Sequence, residues 1–318
     1  MLKVHFLNVG HGDCIVIKHN SGRITMIDIN NGSIIDEKTF SELTQYYNFS
    51  LQEHIMASVL ENNRNRLLYE KGYDIKLTNP VEFLTTNYSR QSIFRYIQTH
   101  PHLDHMRGLH DLQISHIDII NFWDVKHNFK PELITDSDRN NWSEYGQCRN
   151  GNRDNAVLQL YKGSQGKFYN NDEDGSGGDG FEILWPTRDY INGICNQGDI
   201  NPNNLSYILK LSYDGIVFIF GGDAEEEVWK TVAATYGKGL KCNVFKASHH
   251  GRDSGYCKEA IELIRPEYTI VSVGTKPESD ASNKYRNYSD NVWSTRWKGN
   301  IHFIHNENGW DISTEYDR

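Results

Sequence analysis

The segment THPHLDH, residues 99–105, places three of the chain's 14 histidines and one aspartate within a single turn's length of backbone. Clustered imidazoles repel one another when protonated, and a nearby carboxylate is costly to bury alone. A fold that keeps such a group together must give it a shared partner. Pro101 favours extended backbone at His100, and on an extended segment His100 and His102, two apart, face the same way. Asp104 and His105 follow the bend and point elsewhere. The loop can thus offer two imidazoles to one cation, and a carboxylate plus an imidazole to a second about 3.5–4 Å away. Imidazole nitrogen and carboxylate oxygen suit zinc, manganese or iron. A lone histidine pair would read as a polar surface loop. H-x-H-x-D-H directly after a strand pattern (93–98) and before a short helical one (105–112) reads as a metal loop.

That loop cannot complete two metal sites by itself, and two later segments carry the missing ligand types. FIFGGD is an apolar strand pattern ending in two glycines and Asp223. A strand-end carboxylate that the glycines allow to approach closely suits a bridging role between two cations. Its competing role is the N-cap of the helix AEEEVWK, and the residue alone does not decide between them. FKASHHG is a second apolar strand pattern, ending in His249 and His250. One of the two is expected to ligate, with His249 placed first. The other is left to the leaving group or the substrate, and the sequence leaves the choice open.

The surrounding pattern constrains the architecture. Strand-like runs occupy 3–10, 14–19, 23–29, 93–98, 117–123 and 181–187. An alternating pair at 205–223 turns at Asp214-Gly215, further strands lie at 242–251 and 268–274, and a closing hairpin at 300–312 turns at Asn308-Gly309. A helical pattern runs from 39 to 72 through Leu43, Tyr46, Tyr47, Leu51, Ile55, Val59 and Leu60, and a second helix covers 224–237. No internal sequence repeat is visible. Strands outnumber helices without a regular βαβ alternation, which predicts an α+β fold: an αββα sandwich of two sheets with helices outside. The 318 residues suit one domain spanning 1–318, with a helical insert at about 33–92 and a polar, irregular insert at about 126–180. Mean hydropathy of −0.66 fits such inserts, while 12% aromatic residues supply core material.

A net charge of −9 argues against the broad basic surface of a non-specific nucleic-acid binder, though a local groove or a metal can still attract phosphate. No apolar run is long enough to span a membrane, the N-terminal run is strand-like rather than a secretory signal, and the five cysteines (Cys14, Cys148, Cys195, Cys242, Cys257) are scattered. Reduced thiols in a cytoplasmic protein are the expectation.

In order and content these motifs resemble the metallo-β-lactamase fold superfamily across almost the whole chain. FLNVGHGDCIVI resembles its opening strand pair, MIDINNG its D-x-G turn, THPHLDHMRGL its signature, FIFGGD its bridging-aspartate strand and ASHHG its last metal histidine. The V-G-x-G-D, N-x-S, H-H-G and S-V-G elements are similar to those of the hydrolase domain of the DNA-uptake competence protein ComEC and its soluble relatives. The resemblance implies two divalent ions, zinc first and manganese as the alternative. One would be held by His100, His102 and Asp223, the other by Asp104, His105, Asp223 and His249 or His250. Asp28 would hold the metal loop. Many superfamily members have a further histidine where this chain has NPNNLSYIL, so Asn204 or a water is expected at the open position of the first site, with Ser206 beside it. Asp104, Asp223 and His250 stand nearest the chemistry. The implied activity is hydrolysis of a phosphodiester, with nucleic acid, preferably single-stranded DNA, as the substrate. The alternatives are a carboxylic ester, thioester or lactone hydrolase on the same fold, and a metal-binding scaffold with little activity. No membrane partner is expected.

Other segments carry less. The acidic glycine-rich stretch 171–180 lacks the closing glutamate of a calcium loop. In GHGD, a tight turn with Asp13 bonded to backbone is preferred over a phosphate cradle, and His11 is placed at the site mouth. His110, His116 and His127 show no ligand spacing. The stretch 276–300 mixes Lys276, Lys284, Arg286, Arg296 and Lys298 with Tyr285, Tyr288, Trp293 and Trp297. It is expected to cover the sheet, with base stacking as the competing role.

Overall fold

Two β-sheets share one apolar core, and helices cover both outer faces. The computed structural model of the chain describes residues 1–31, 35–59, 62–170, 177–194 and 200–317. Leu60, Cys195 and the 171–176 part of the acidic loop, all singled out above, lie outside the described residues. The first sheet is built from β1 (Lys3–Phe6), β2 (Ile15–Lys18), β3 (Ile24–Ile27), β4 (Ile93–Ile97), β5 (Ile119–Trp123) and β6 (Ala156–Leu158). The second comprises β7 (Phe181–Trp185), β8 (Ile208–Tyr213), β9 (Ile216–Phe220), β10 (Val244–Lys246), β11 (Tyr268–Val271) and β12 (Asn291–Ser294). A last hairpin, β13 (Ile301–Asn306) and β14 (Gly309–Thr314), returns to the first sheet, where β13 pairs with β1 in the register Lys3↔Ile304.

Within each sheet the first two pairings are antiparallel and the next three parallel: β1-β2-β3 then β3-β4-β5-β6, and β7-β8-β9 then β9-β10-β11-β12. The two six-strand units therefore repeat one another in order and direction, a repeat that leaves no trace in the sequence. The strands read as near-continuous apolar runs because both faces are covered. Phe218 and Phe220 of β9 point into the core between the sheets, with Phe6, Ile97, Ile270 and Phe303. Ile219 points the other way, onto the outer helices.

The helices fall into the two outer layers. Between β3 and β4 come α1 (Glu37–Tyr46), α2 (Leu51–Val59), α3 (Asn62–Glu70) and α4 (Pro80–Tyr88). The last starts on an Asn79 cap with proline at its first position, the favoured order for a helix start. α5 (Leu109–Ile114) and α6 (Asp136–Arg149) follow β4 and β5, and Leu84, Leu109 and Tyr145 pack with Met26, Tyr96 and Phe122 on the outside of the first sheet. α7 (Arg188–Ile194), α8 (Glu226–Tyr236), α9 (Lys258–Ile264), α10 (Ser282–Tyr285) and α11 (Thr295–Lys298) belong to the second half. There Val228, Trp229 and Ile261 cover Ile219, Phe245 and Val271. The αββα sandwich expected from the sequence is the architecture observed.

Three local expectations are corrected. The helical run 39–72 is not continuous, since α1 ends at Tyr46 and α2 starts at Leu51, with Asn48 between them at a φ of 52°. The insert after β5 is not irregular throughout, since it contains the 14-residue α6. The closing hairpin turns on Glu307-Asn308, because Asn306 already pairs with Gly309. No helix among the described residues is long and apolar enough to cross a membrane.

Candidate metal centre

The ends of β3, β4, β9, β10 and β11 converge, and each contributes one piece of the centre. β4 stops at Ile97, and the next residues hold the histidine loop in shape. The Gln98 Nε2 amide donates to the carbonyls of His100 (2.8 Å) and His105 (3.1 Å), and the Tyr96 hydroxyl donates to the latter at 3.3 Å. Asp28, just past β3, is fully buried with a φ of 55°. Its carboxylate accepts from the Thr99 N–H at 2.7 Å, from the Thr99 hydroxyl at 2.6 Å and from His105 Nδ1 at 2.7 Å. The GHGD turn packs against this loop so closely that a Cβ on Gly12, at φ +145°, would stand 2.5 Å from the Asp104 carbonyl. Glycine is what permits that approach.

Four ligand atoms meet on the open side of this scaffold. Asp104 Oδ2 lies 3.2 Å from His250 Nε2 and 4.0 Å from His105 Nε2. Asp223 Oδ2 lies 3.3 Å from His105 Nε2 and 3.5 Å from His250 Nε2. Each of these contacts is near the roughly 3.4 Å that separates two ligands of one tetrahedral ion, and the groups whose ligand atoms all lie within 4.8 Å of one another include His100, His105 and Asp223; Asp13, Asp223 and His250; and His11, Asp104 and His250. The donor chemistry fits as well. His105 gives its Nδ1 proton to Asp28, and His250 gives its own to the Ser272 carbonyl at 3.0 Å. Each ring's Nδ1–H is thereby committed, which leaves Nε2 as the atom a cation could take in place of a proton, the arrangement typical of metal-ligating histidine. Among the described residues the two buried Nε2 atoms face the Asp104 and Asp223 carboxylates without a well-formed hydrogen bond, and Asp223 Oδ1 has no hydrogen-bond partner. Buried polar atoms short of hydrogen bonds are costly, and two imidazoles facing the same carboxylates suit a cation between them.

The other predicted trio forms a second, less complete corner. His100 Nε2 is 3.0 Å from His102 Nδ1 and 3.7 Å from Asp223 Oδ2. His102 is half-buried, with its ring against Phe129. Among the described residues, the close groups of three or more ligand atoms include His100, His105 and Asp223 but not His102. Asn204 does not fill the gap. Its Oδ1 accepts from the Glu225 N–H at 3.0 Å and its amide donates to Glu227, so it serves the start of α8. The cap position of α8 is Glu225, which frees Asp223 from that competing role. Ser206 acts through Asp223, whose N–H donates to the Ser206 hydroxyl at 2.9 Å.

The order of preference between the paired histidines reverses. His250 is buried and sits in the four-atom group. His249 Nε2 stands 4.0 Å from Asp223 Oδ2, and its Nδ1 lies 2.7 Å from the Ser254 hydroxyl at the rim. Both residues adopt left-handed backbone, with φ of 50° and 53°, so strand alternation does not govern where they point.

The electrostatics favour positive charge at the centre. Burial by itself would lower the pKa of His105 and His250, yet the field of Asp223, with Asp104 and other nearby carboxylates, raises both. Burial would raise those of Asp104 and Asp223, yet the adjacent imidazoles hold both well below the ordinary carboxylate range. His100, buried and flanked by His105, is pushed down.

Several contributors escaped the sequence reading. The Asp13 carboxylate does not bond to backbone. It pairs with Lys246 Nζ at 2.8 Å, with both side chains buried, and its other oxygen is 3.8 Å from His250 Nδ1. A lysine inside the apolar run NVFKAS was the available signal, because a buried ammonium demands an anion. Thr99 and Ser272 orient the ligand residues. Arg252, after the histidine pair, has no carboxylate partner among the described residues and a buried Nε without a hydrogen bond. It is near enough to His11 and His249 that its charge adds to burial in keeping both imidazoles neutral, His11 being lowered to about 4. His11 lies within 4.8 Å of Asp104 and His250, ligand atom to ligand atom. His127 bonds to the Tyr145 hydroxyl, and Cys14, Cys148, Cys242 and Cys257 are buried free thiols.

No protein-family model matches the sequence, and no curated protein matches it. Among solved structures the chain is similar to CmlA, a diiron β-hydroxylase from Streptomyces venezuelae. The TM-score is 0.44 at 12% identity, over 92% of this chain and 53% of that one. It is similar to the metallo-β-lactamase fold protein YhfI from Bacillus subtilis, with a TM-score of 0.41 at 8% identity over 92% and 96% of the two chains. It is also similar to unliganded yeast PDE1, with a TM-score of 0.44 at 13% identity over 92% and 98%. The chain spans about half the length of the hydroxylase.

Proposed function

We propose that the protein is a metal-dependent hydrolase of phosphodiesters that uses two divalent ions. The observation that carries the reading is the run of contacts joining Asp104, His250, Asp223 and His105 at 3.2–4.0 Å, with each imidazole's Nδ1 committed elsewhere so that its Nε2 faces the carboxylates. One ion is assigned to that group. The other is assigned to His100, His102 and Asp223, with Asp223 shared. Divalent ions bound there supply Lewis acidity towards a phosphoryl oxygen and a water acidic enough to act near neutral pH, about 7 on zinc.

The chain's own residues do the rest. Asp28, Thr99 and Gln98 fix the loop, Ser206 fixes the backbone of Asp223, and the Ser272 carbonyl fixes His250. Preorganisation of this kind is what lets charge be stabilised without rearrangement during the reaction. Arg252 supports an anionic substrate, because a protein of net charge −9 keeps this guanidinium beside the centre without a carboxylate. A guanidinium presents paired donors that suit phosphate oxygens. The motif resemblance to ComEC-type hydrolase domains supports nucleic acid as the diester.

The test is hydrolysis of bis-p-nitrophenyl phosphate and of single-stranded DNA, beside a carboxylic ester and a lactone, by protein loaded with zinc or manganese. Phosphodiester turnover that is lost in Asp223→Ala together with bound metal is expected. Ester or lactone turnover alone, or metal content unchanged in Asp223→Ala, overturns the reading.

A further inference from the structure

We infer that the groove between α1 and the segment 271–298 holds the flanking nucleotides of a single-stranded nucleic acid whose diester lies at the metal centre. The inference rests on the phosphodiester assignment above and adds a second binding region to it. The groove has a volume of about 890 Å³. It begins next to the centre in the chain, since its wall residues Val271 and Val273 flank Ser272, whose carbonyl holds His250. A Cβ on Gly251, the residue after His250, would stand 2.9 Å from Val271. Arg252 pairs across a β-bridge with Asp280, another lining residue.

Two kinds of side chain line it, and together they match one ligand. The first is cationic. Lys276 and Arg286 are exposed and have no carboxylate partner among the described residues, in a chain with nine more acids than bases. Arg296 is 5% exposed, its Nε is buried without a hydrogen bond, and only its Nη1 is engaged, by Glu42 at 2.9 Å. The groove's acids are already committed. Glu42 takes Arg296 and the Lys276 N–H, and Asp280 accepts from the Ser282 N–H.

The second kind is aromatic. Tyr46 is 68% exposed at the rim, with its ring centroid 5.9 Å from that of the half-buried Trp297, and Trp293 lines the same wall. Unpaired cations beside accessible aromatic faces suit a strand with free phosphates and unpaired bases. Stacking of this kind is sequence-tolerant and is denied to a duplex, whose bases are already stacked. A small phosphodiester would leave the groove empty.

Binding of a fluorescein-labelled dT12 to the metal-loaded full chain, read by fluorescence anisotropy with the probe checked as intact on a gel, tests this. The variant Lys276→Glu/Arg286→Glu is expected to weaken binding at least about tenfold. It should also flatten the slope of log affinity against log salt by about 1.4, two phosphate contacts at ~0.7 each. Tyr46→Ala, at an exposed site, is expected to weaken it about fivefold or more. Lys238→Glu, remote from the groove, should leave it unchanged. Equal binding of a 12-base-pair duplex, equal weakening by Lys238→Glu, or no change in either groove variant overturns the inference. Protein that hydrolyses bis-p-nitrophenyl phosphate but does not bind dT12 refutes this inference alone. Protein that binds dT12 through the groove but hydrolyses no diester refutes the hydrolase assignment alone.

Discussion

Asp28→Asn separates the positioning of a ligand from the integrity of the fold. All three atoms facing the Asp28 carboxylate are donors: the Thr99 N–H, the Thr99 hydroxyl and His105 Nδ1, at 2.6–2.7 Å. An asparagine keeps one acceptor and presents an NH2 group in place of the other. The Thr99 hydroxyl can rotate, but His105 must either face a donor with its Nδ1–H or move that proton to Nε2, the atom aimed at Asp223. The first outcome leaves a buried donor unsatisfied, at ~1–3 kcal/mol. The second blocks the ligand atom. Loss of such an outer hydrogen bond typically weakens a metal about 10–100-fold, which is ~1.4–2.7 kcal/mol, and the two routes agree. Burial already raises the Asp28 pKa, so loss of the charge offsets that unsatisfied-donor cost in the metal-free protein. The expected result is a metal-free melting temperature no lower than wild type, a smaller rise on adding zinc, and one of two zinc affinities weakened 10–100-fold in a competition titration with a chromophoric chelator. Two affinities within threefold of wild type would refute the tautomer argument. A drop in the metal-free melting temperature would show Asp28 to be structural instead.

Lys246→Met leaves the buried Asp13 carboxylate unpaired and is expected to cost about 3–5 kcal/mol, read as a shift in the urea midpoint. Adding Asp13→Asn should recover most of that loss, and a double variant no better than the single one would contradict the pairing. Gly12→Ala forces a Cβ against the Asp104 carbonyl at a φ of +145°, so a loss of about 1–3 kcal/mol with weaker metal binding is expected. His19 is buried away from the centre, and burial lowers its pKa to about 3. The unfolded chain binds that proton below pH ~6.5 while the native chain does not. Stability is therefore full above 6.5 and falls as pH drops towards 3, by up to ~1.4 kcal/mol per pH unit. A melting-temperature profile that is flatter over pH 6.5–4 in His19→Gln is the expected observation.

The parts legible in the sequence are those where local pattern and tertiary role coincide. Strand ends carrying His100 to His105, Asp223 and the histidine pair were visible because apolar runs stop abruptly in polar clusters. α6 was not, because its buried face carries Asp138, Asn141 and Glu144, which blanks the apolar period that marks a helix. These side chains are buried because they receive bonds from Arg107, the Gly108 N–H and Arg153, contacts no local window contains. The choice between His249 and His250 turned on two left-handed residues. The Asp13 and Lys246 pair joins positions 233 apart.

The repeated strand order has a mechanical consequence. Asp104 and His105 hang from the first sheet, whereas Asp223 and His250 hang from the second. An ion held by all four is a clasp across the seam between two similar half-molecules, and whatever opens the seam must also break the clasp. Ion present at 100 times its dissociation constant would add about 2.7 kcal/mol against unfolding, concentrated at that seam. Chelation should therefore raise amide hydrogen exchange first where the two sheets meet around β4 and β9, and least along the outer helices. The same split makes the two halves obligate companions, since neither carries a full set of ligands without the other.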